Sequence, residues 1–251
     1  MIKKFFCKKE TKEIEKLKKE LKILKKENKK LKIQNSFKDD VISAIAHEFK
    51  NPISIINGYI ETILSSNLPP KLQEKFLNKI HKNTSRLSEL IDRLYLITKI
   101  ENQKLKLNKE SFRLDKIIKE VVESFDEKRI KLNLIPTKIN ADKNLIQIVI
   151  FNLISNAIKY SKDEITINLN EKYFEVIDKG IGIDKKNLEN IKEKFFRIAK
   201  NDWDNSLGLG LYIVEKILKI HNTHLEIESE IKKGSKFYFD ITSLKDKEYL
   251  L

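Results

Sequence analysis

Apolar positions along the chain fall into three successive rhythms. Between residues 12 and 36 nearly every residue is Lys, Glu, Leu, Ile or Asn. Ile14, Leu17, Leu21, Leu24, Asn28 and Leu31 step by 3, 4, 3, 4 and 3. That is the a/d seam of a coiled coil with an asparagine at one a position, which favours a parallel dimer in register. The seam is short, and a lone charged surface helix is the alternative. Over residues 37–67, Ile42, Ile45, Phe49, Ile53, Ile56, Ile60 and Ile63 form one helical stripe. The run Asn67-Leu68-Pro69-Pro70 breaks it. A second helix is predicted over about 71–103, where Leu77, Ile80, Thr84, Leu87, Ile91, Leu94 and Thr98 repeat the 3, 4 spacing. Two such helices joined by a short turn predict an antiparallel hairpin. A hairpin has one apolar side left over, so two of them should pair into a four-helix bundle, making the protein a homodimer.

From residue 104 short alternating stretches replace the long stripes. Residues 165–169, 173–177, 225–227 and 237–241 read as strands, and 114–125, 142–160 and 209–221 as helices. This predicts an α+β domain whose mainly antiparallel or mixed sheet is covered on one face. The expected chain is therefore α+β and multidomain: a basic coiled-coil arm at 1–36, a helical hairpin at 37–105 and an α/β sandwich at 106–251. Five of the six glycines (180, 182, 208, 210 and 234) lie in that last segment.

Composition narrows the function classes. Charged residues make up 35% and hydrophobic ones 40%, which fits solvated helices with real cores rather than a disordered chain. The formal net charge is +14, yet only five of the 51 basic residues are arginine. Lysines are spread along the chain and interleaved with glutamates, whereas a nucleic-acid binder would gather them on one face. Lys, Asn and Ile are also what AT-rich codons specify. No nucleic-acid partner is expected. The single cysteine, Cys7, permits neither an internal disulfide nor a cysteine-based metal site. With no run of 18 apolar residues and an opening too short in apolar residues for a signal peptide, the expected location is cytoplasmic.

The segment Ala44–Pro52 places His47 in mid-helix, with Glu48 beside it and Asn51 one turn on, on the same helix face. A histidine that attacks phosphorus must be neutral at one ring nitrogen, and an adjacent carboxylate can orient it or take its proton. The Asn51 amide can position a water for loss of phosphate. His221 and His224, three apart, have no cysteine nearby and read as structural rather than as metal ligands.

Four further segments point to a nucleotide site. In Asn152–Ser161, Asn152 and Asn156 project from one helix face at i, i+4. Oxygen ligands so placed suit Mg²⁺, a hard cation held by few protein oxygens plus phosphates. Lys159 is placed to meet phosphates and Tyr160 the sugar or base. In Asp178–Ile183, Asp178 can accept from an adenine amino group, while Gly180 and Gly182 let the backbone come close. In Ser206–Val214, Gly208 and Gly210, flanked by Leu209 and Leu211, open an apolar helix whose bare N–H groups suit phosphate. In Lys233–Phe239, Ser235 follows a turn glycine and is expected to face the pocket. Each glycine pair alone is weak evidence, but all four segments in this order make a strong signal.

With His47 upstream, the set resembles the histidine kinase family over about residues 37–242. Ala-His-Glu-Phe-Lys-Asn-Pro is similar to its H box and residues 152–161 to its N box. Residues 178–183 resemble the first glycine box, Phe195–Ile198 the F box, 207–214 the second glycine box and 234–239 the last box. The resemblance implies a dimeric histidine-bearing helical domain followed by a Bergerat-type ATP-binding domain. It implies ATP and Mg²⁺ as cofactors, with Asn156 the metal ligand and Asp178 the adenine contact. Ile183, Leu209, Leu211 and Ser235 would line the nucleotide, and Arg197 would reach the transferring phosphate. It also implies a response regulator's receiver domain as partner. The chain departs from the family pattern at Ser206, where a glycine is usual, and its loop between Arg197 and Gly208 is short and contains Trp203. Related gyrase-type ATPases carry a glutamate one turn before the metal asparagine. Here that position is Asn152, which cannot serve as a base for water, so the pocket is expected to hold ATP for another acceptor. A Bergerat ATPase, a degenerate kinase acting as a dimeric scaffold and a nucleic-acid binder using the +14 charge are the rival readings.

Overall fold

The computed structural model describes residues 21, 24, 25, 28, 42–198 and 207–245. Of the coiled-coil seam, Leu21, Leu24 and Asn28 are helical and exposed. Ile14, Leu17 and Leu31 lie outside the described residues, as do Cys7, Trp203 and Ser206. The chain separates into two compact units, Met1–Asn83 and Thr84–Leu251.

In the first unit, helix α1 (residues 42–65) runs without interruption through Pro52 and ends at the Ser66-Asn67-Leu68-Pro69 turn. Helix α2 (Pro70–Glu101) opens on a proline, whose missing N–H costs nothing in the first helical turn. Leu72 and Gln73 donate their N–H groups to the Pro69 carbonyl. The two helices fold back on each other, with the rings of Tyr59 and Phe76 at 4.9 Å between centroids.

The covered residues of α2 include Ile80, Leu87 and Leu94 of the predicted 3, 4 row. The two buried residues of α2 are Leu90 and Ile97. Phe76, Ile80, Asn83, Leu87 and Leu94 complete the same row, all of them half-buried. On the expected row Leu77 and Ile91 are exposed. A helix advances about 100° per residue, so Leu77 and Ile91 lie one position round the helix from the row of Phe76, Asn83, Leu90 and Ile97. On α1, Ile42, Ile53 and Ile60 are likewise exposed, while Ile45, Phe49, Ile56 and Ile63 are half-buried.

The second unit holds the sheets. Strand β1 (Lys109–Arg113) pairs antiparallel with β3 (Lys138–Asp142). The main sheet runs β2 (Ile130–Leu134), β4 (Ile165–Leu169), β5 (Tyr173–Asp178), β7 (Gly234–Asp240), β6 (Glu226–Glu230). Only β2 and β4 are parallel. Helices α3 (Leu114–Glu123), α4 (Lys143–Tyr160) and α5 (Gly210–Ile220) supply its partner layer. Strict alternation along β4 and β5 turns Ile165, Ile167, Leu169, Phe174 and Val176 into the core. Ile146, Ile150, Leu153 and Ile154 of α4 are fully buried. Each such side chain stabilises the fold by about 1.5–3 kcal/mol. Strands β1, β2 and β3 were not expected from the pattern.

Local chemistry fixes where α4 starts. Asp142 is its N-cap, accepting from the Leu145 N–H at 3.2 Å. The Asp142 N–H donates to His221 Nε2 at 3.1 Å, and His221 Nδ1 faces the Ile217 carbonyl at 2.8 Å. His221 is therefore the Nδ1–H tautomer, pinning α5 to the start of α4. No helix among the described residues is long and apolar enough to cross a membrane.

Candidate functional site

Helix α1 presents His47 exposed and Glu48, its neighbour, buried; Asn51 is half-buried and Pro52 buried. The imidazole is thus accessible while the carboxylate beside it is drawn out of bulk water.

The second unit gathers the nucleotide candidates along one row of α4. Asn152, Asn156 and Tyr160 lie on successive turns of the same face. At one end of the row, Asn152 is buried; its Nδ2 donates to the Ile148 carbonyl at 2.8 Å. Its oxygen is directed at Gly210, where a Cβ would stand 3.0 Å away. At the other end the Tyr160 carbonyl lies 2.3 Å from where a Gly180 Cβ would be, so only glycine fits. Asn156 sits between them, half-buried. Its amide oxygen is of the kind a hard cation takes. Lys159 is exposed, its ammonium 5.0 Å from the Tyr160 ring centroid.

Asp178 closes β5 beside this row. It is 4% exposed, and its Oδ1 accepts from the Gly180 N–H at 2.8 Å. Burial pushes its carboxyl above the usual range, and the N–H donors of Gly180 and Ser235 only partly offset that. A half-satisfied acceptor in a dry place is what an exocyclic amino group needs. Gly182 has φ +67°, and a Cβ there would meet the Glu230 carbonyl at 1.9 Å. The Ile183 N–H donates to Ser229 Oγ at 2.8 Å. Ser235 is in register with Asp178, but its hydroxyl is engaged with that of Ser229 at 2.9 Å.

Gly208 (φ +64°) fits against the Phe196 carbonyl, and the Phe195 N–H donates to the Gly208 carbonyl at 3.2 Å. Helix α5 starts at Gly210 with no side-chain cap on Leu209, so its first N–H groups have no side-chain cap. Leu209 is buried, and Leu211 and Arg197 are half-buried.

The structure thus brings Asn152, Asn156, Tyr160, Asp178, Gly180, Gly182, Ile183, Gly210 and Ser235 around one helix face and the strand ends beside it. Ser229 escaped the sequence reading. Its only signal is a small polar residue opposite Ser235 across the β6–β7 hairpin, visible once that register is known. Among the described residues no group of three or more His, Cys, Asp or Glu side chains could hold a metal.

Residues 37–103 match the family model described as "His Kinase A (phospho-acceptor) domain". Residues 141–245 match "Histidine kinase-, DNA gyrase B-, and HSP90-like ATPase". The chain is similar to the adaptive-response sensory kinase SasA of Gloeothece citriformis, at 31% identity over 83% of this chain and 58% of that protein. It spans less than two thirds of the curated relatives it matches. Its fold is similar to that of the Acinetobacter baumannii histidine kinase AdeS, with TM-score 0.61 and 24% identity, covering 80% of this chain and 98% of that one. It is also similar to histidine kinase ThkA in complex with response regulator protein TrrA, with TM-score 0.55 and 26% identity, covering 84% of this chain and 62% of that one.

Proposed function

The chain belongs to the sensor histidine kinases of two-component systems, and from that premise we propose that it moves the γ-phosphoryl group of ATP first to His47 and then to an aspartate of a response regulator. The observation that carries this reading is the pairing on α1 of an exposed His47 with a buried Glu48.

In the proposed reaction a neutral ring nitrogen of His47 attacks the γ-phosphorus in line. The N–P bond forms as the bond to the β–γ bridging oxygen breaks, and ADP leaves with that electron pair. The ring proton passes to Glu48. Asp178 and the glycines at 180 and 182 would hold the adenine. The uncapped start of α5 at Gly208–Leu211 and the cations Lys159 and Arg197 would meet the phosphates. The Asn156 oxygen fits Mg²⁺, a cation that takes few protein ligands and would neutralise phosphate charge when bound. Asn152 leaves no carboxylate one turn before Asn156, which argues against direct hydrolysis. In the second step an aspartate oxygen attacks phosphohistidine and the N–P bond breaks. Asn51 would position water for the opposing dephosphorylation of the regulator. The exposed rows on α1 and α2 would be covered by a second copy, giving the homodimer. The proposed division is an arm at 1–36, a phosphotransfer hairpin at 37–105 and an ATP-binding domain at 106–251, with the protein acting in the cytoplasm.

The test is incubation with γ-labelled ATP and Mg²⁺, followed by a chase with receiver domains. Acid-labile, base-stable label on the chain that passes to a receiver supports the reading. Release of free phosphate without any labelled protein would assign the chain to the ATPases instead.

A further inference from the structure

One carboxylate oxygen outside the nucleotide cluster joins two segments beside it, Lys194–Phe195 and Gly208–Tyr212. Glu101, the last residue of α2, accepts at Oε1 from Lys194 Nζ at 2.7 Å and from the Tyr212 hydroxyl at 3.0 Å. Lys194 directly precedes Phe195, and Tyr212 is the third residue of α5. The two segments are already joined by the Phe195 N–H to Gly208 carbonyl bond.

That junction is conformationally demanding. Phe195 has φ +65° and Gly208 has φ +64°. A non-glycine residue there persists only where its surroundings hold it. Tyr212 is 8% exposed, and a buried phenol needs an acceptor. That acceptor is Glu101, 111 residues earlier in the chain and within the same compact unit. Burial raises the Tyr212 hydroxyl to about 12, with Glu101 adding to the rise, so the phenol stays a donor throughout the working range. Burial tends to raise the Glu101 carboxyl as well, but the hydrogen bonds from Lys194 and Tyr212 outweigh it and keep the group ionised.

We propose that Glu101 is a positioning residue for the nucleotide site, holding the Lys194–Phe195 and Gly208–Tyr212 segments in register and carrying any displacement of the last turn of α2 to them. This rests on the kinase reading, since it assigns that reading's ATP site a point of control. The clamp shares no hydrogen bond with Asp178, so its loss leaves the Asp178–Gly180 bond in place.

The experiment uses the full chain with Mg²⁺ and ADP by calorimetry, and with labelled ATP for rates. Glu101→Gln and Tyr212→Phe are each expected to weaken ADP binding roughly three- to tenfold. Both should raise KM for ATP by a similar factor while kcat for labelling moves by less than about twofold. The double variant should lose less ADP affinity than the product of the two single losses, because both changes act on the shared Glu101–Tyr212 bond while Glu101→Gln alone also weakens the bond to Lys194. Wild-type affinity in both single variants, or losses that multiply in the double, would overturn the proposal while the kinase reading stands. A parent chain that binds no ADP would overturn both.

Discussion

Asn152 of α4 and Gly210 of α5 touch: a Cβ at residue 210 would stand 3.0 Å from Asn152 Oδ1. The asparagine cannot swing aside freely, because its Nδ2 is bonded to the Ile148 carbonyl. Alanine in the first turn of a helix normally gains up to about 1 kcal/mol over glycine. At residue 210 that gain is opposed by the tight contact. Gly210→Ala is therefore expected to leave stability unchanged or slightly lower. In an Asn152→Ala background, where the oxygen is gone, the same substitution should stabilise. A coupling of roughly 0.5–1 kcal/mol in a denaturant double-mutant cycle is expected. Additive effects would contradict the packing described.

Asp178, the proposed adenine contact, is tolerated by the fold at a cost. Its carboxyl is raised from the ordinary 3.8, with burial the leading cause. A group raised on folding contributes stability below its unfolded value and loses it as pH rises through the folded value. At neutral pH the ionised carboxylate is consequently unfavourable. Asp178→Asn keeps an oxygen for the Gly180 N–H and removes the buried charge. It should raise thermal stability by about 0.5–2 kcal/mol near pH 7 and narrow that gain toward pH 4. Nucleotide affinity should fall at least about tenfold, since an amide is a weaker acceptor for the base. A variant that is less stable than the parent at neutral pH would show that the charge is compensated.

On α1 the exposure of His47 and the burial of Glu48 assign them separable effects. His47→Gln should abolish phosphoprotein labelling while ADP binding to the second unit is kept. Glu48→Gln should slow labelling by roughly 10²–10⁴-fold if it takes the proton. Asn51→Ala should leave labelling within a few-fold and slow regulator dephosphorylation more. Normal labelling of the His47 variant, measured after base treatment of the denatured protein, would remove that histidine from the reaction.

The long helices and the four glycine- and asparagine-bearing segments that gather around α4 were legible because short-range rules set them. Periodicity placed α3, α4 and α5 within two residues of their ends, and Asp142 capping α4 is a local signal. Strands β1 and β3 were not legible, since Lys109–Arg113 alternates weakly and has only one half-buried residue. They exist because each completes the other, a long-range pairing that no window reveals. The row of α2 was read in part: Ile80, Leu87 and Leu94 are covered as expected, while Leu90 and Ile97 are buried in place of the exposed Leu77 and Ile91, because two apolar rows lie side by side and periodicity alone does not choose between them. Ser229 was missed because its role depends on a hairpin register, and Glu101 because its partners lie about a hundred residues away.

His221 links α5 to the N-cap of α4 as a neutral ring, and its titration should be visible in stability. It is 1% exposed, with Nε2 accepting from the Asp142 N–H and Nδ1–H donating to the Ile217 carbonyl. Burial is the main reason its pKa lies below the ordinary 6.5; nearby Lys109 adds to the depression, while the Ile217 carbonyl and Asp142 oppose it. A group depressed on folding contributes stability above its unfolded value and loses it as pH falls through the folded one. Protonation at Nε2 would also break the bond from Asp142 N–H and leave that donor unsatisfied. Thermal melts from about pH 8 to about pH 5 should therefore show falling stability below about 6.5. His221→Gln has no titrating ring. It should cost about 1–3 kcal/mol at pH 8 from imperfectly replaced buried hydrogen bonds, and its melting temperature should depend less on pH across that window. A variant with the parent's acid slope would show that other groups govern the loss.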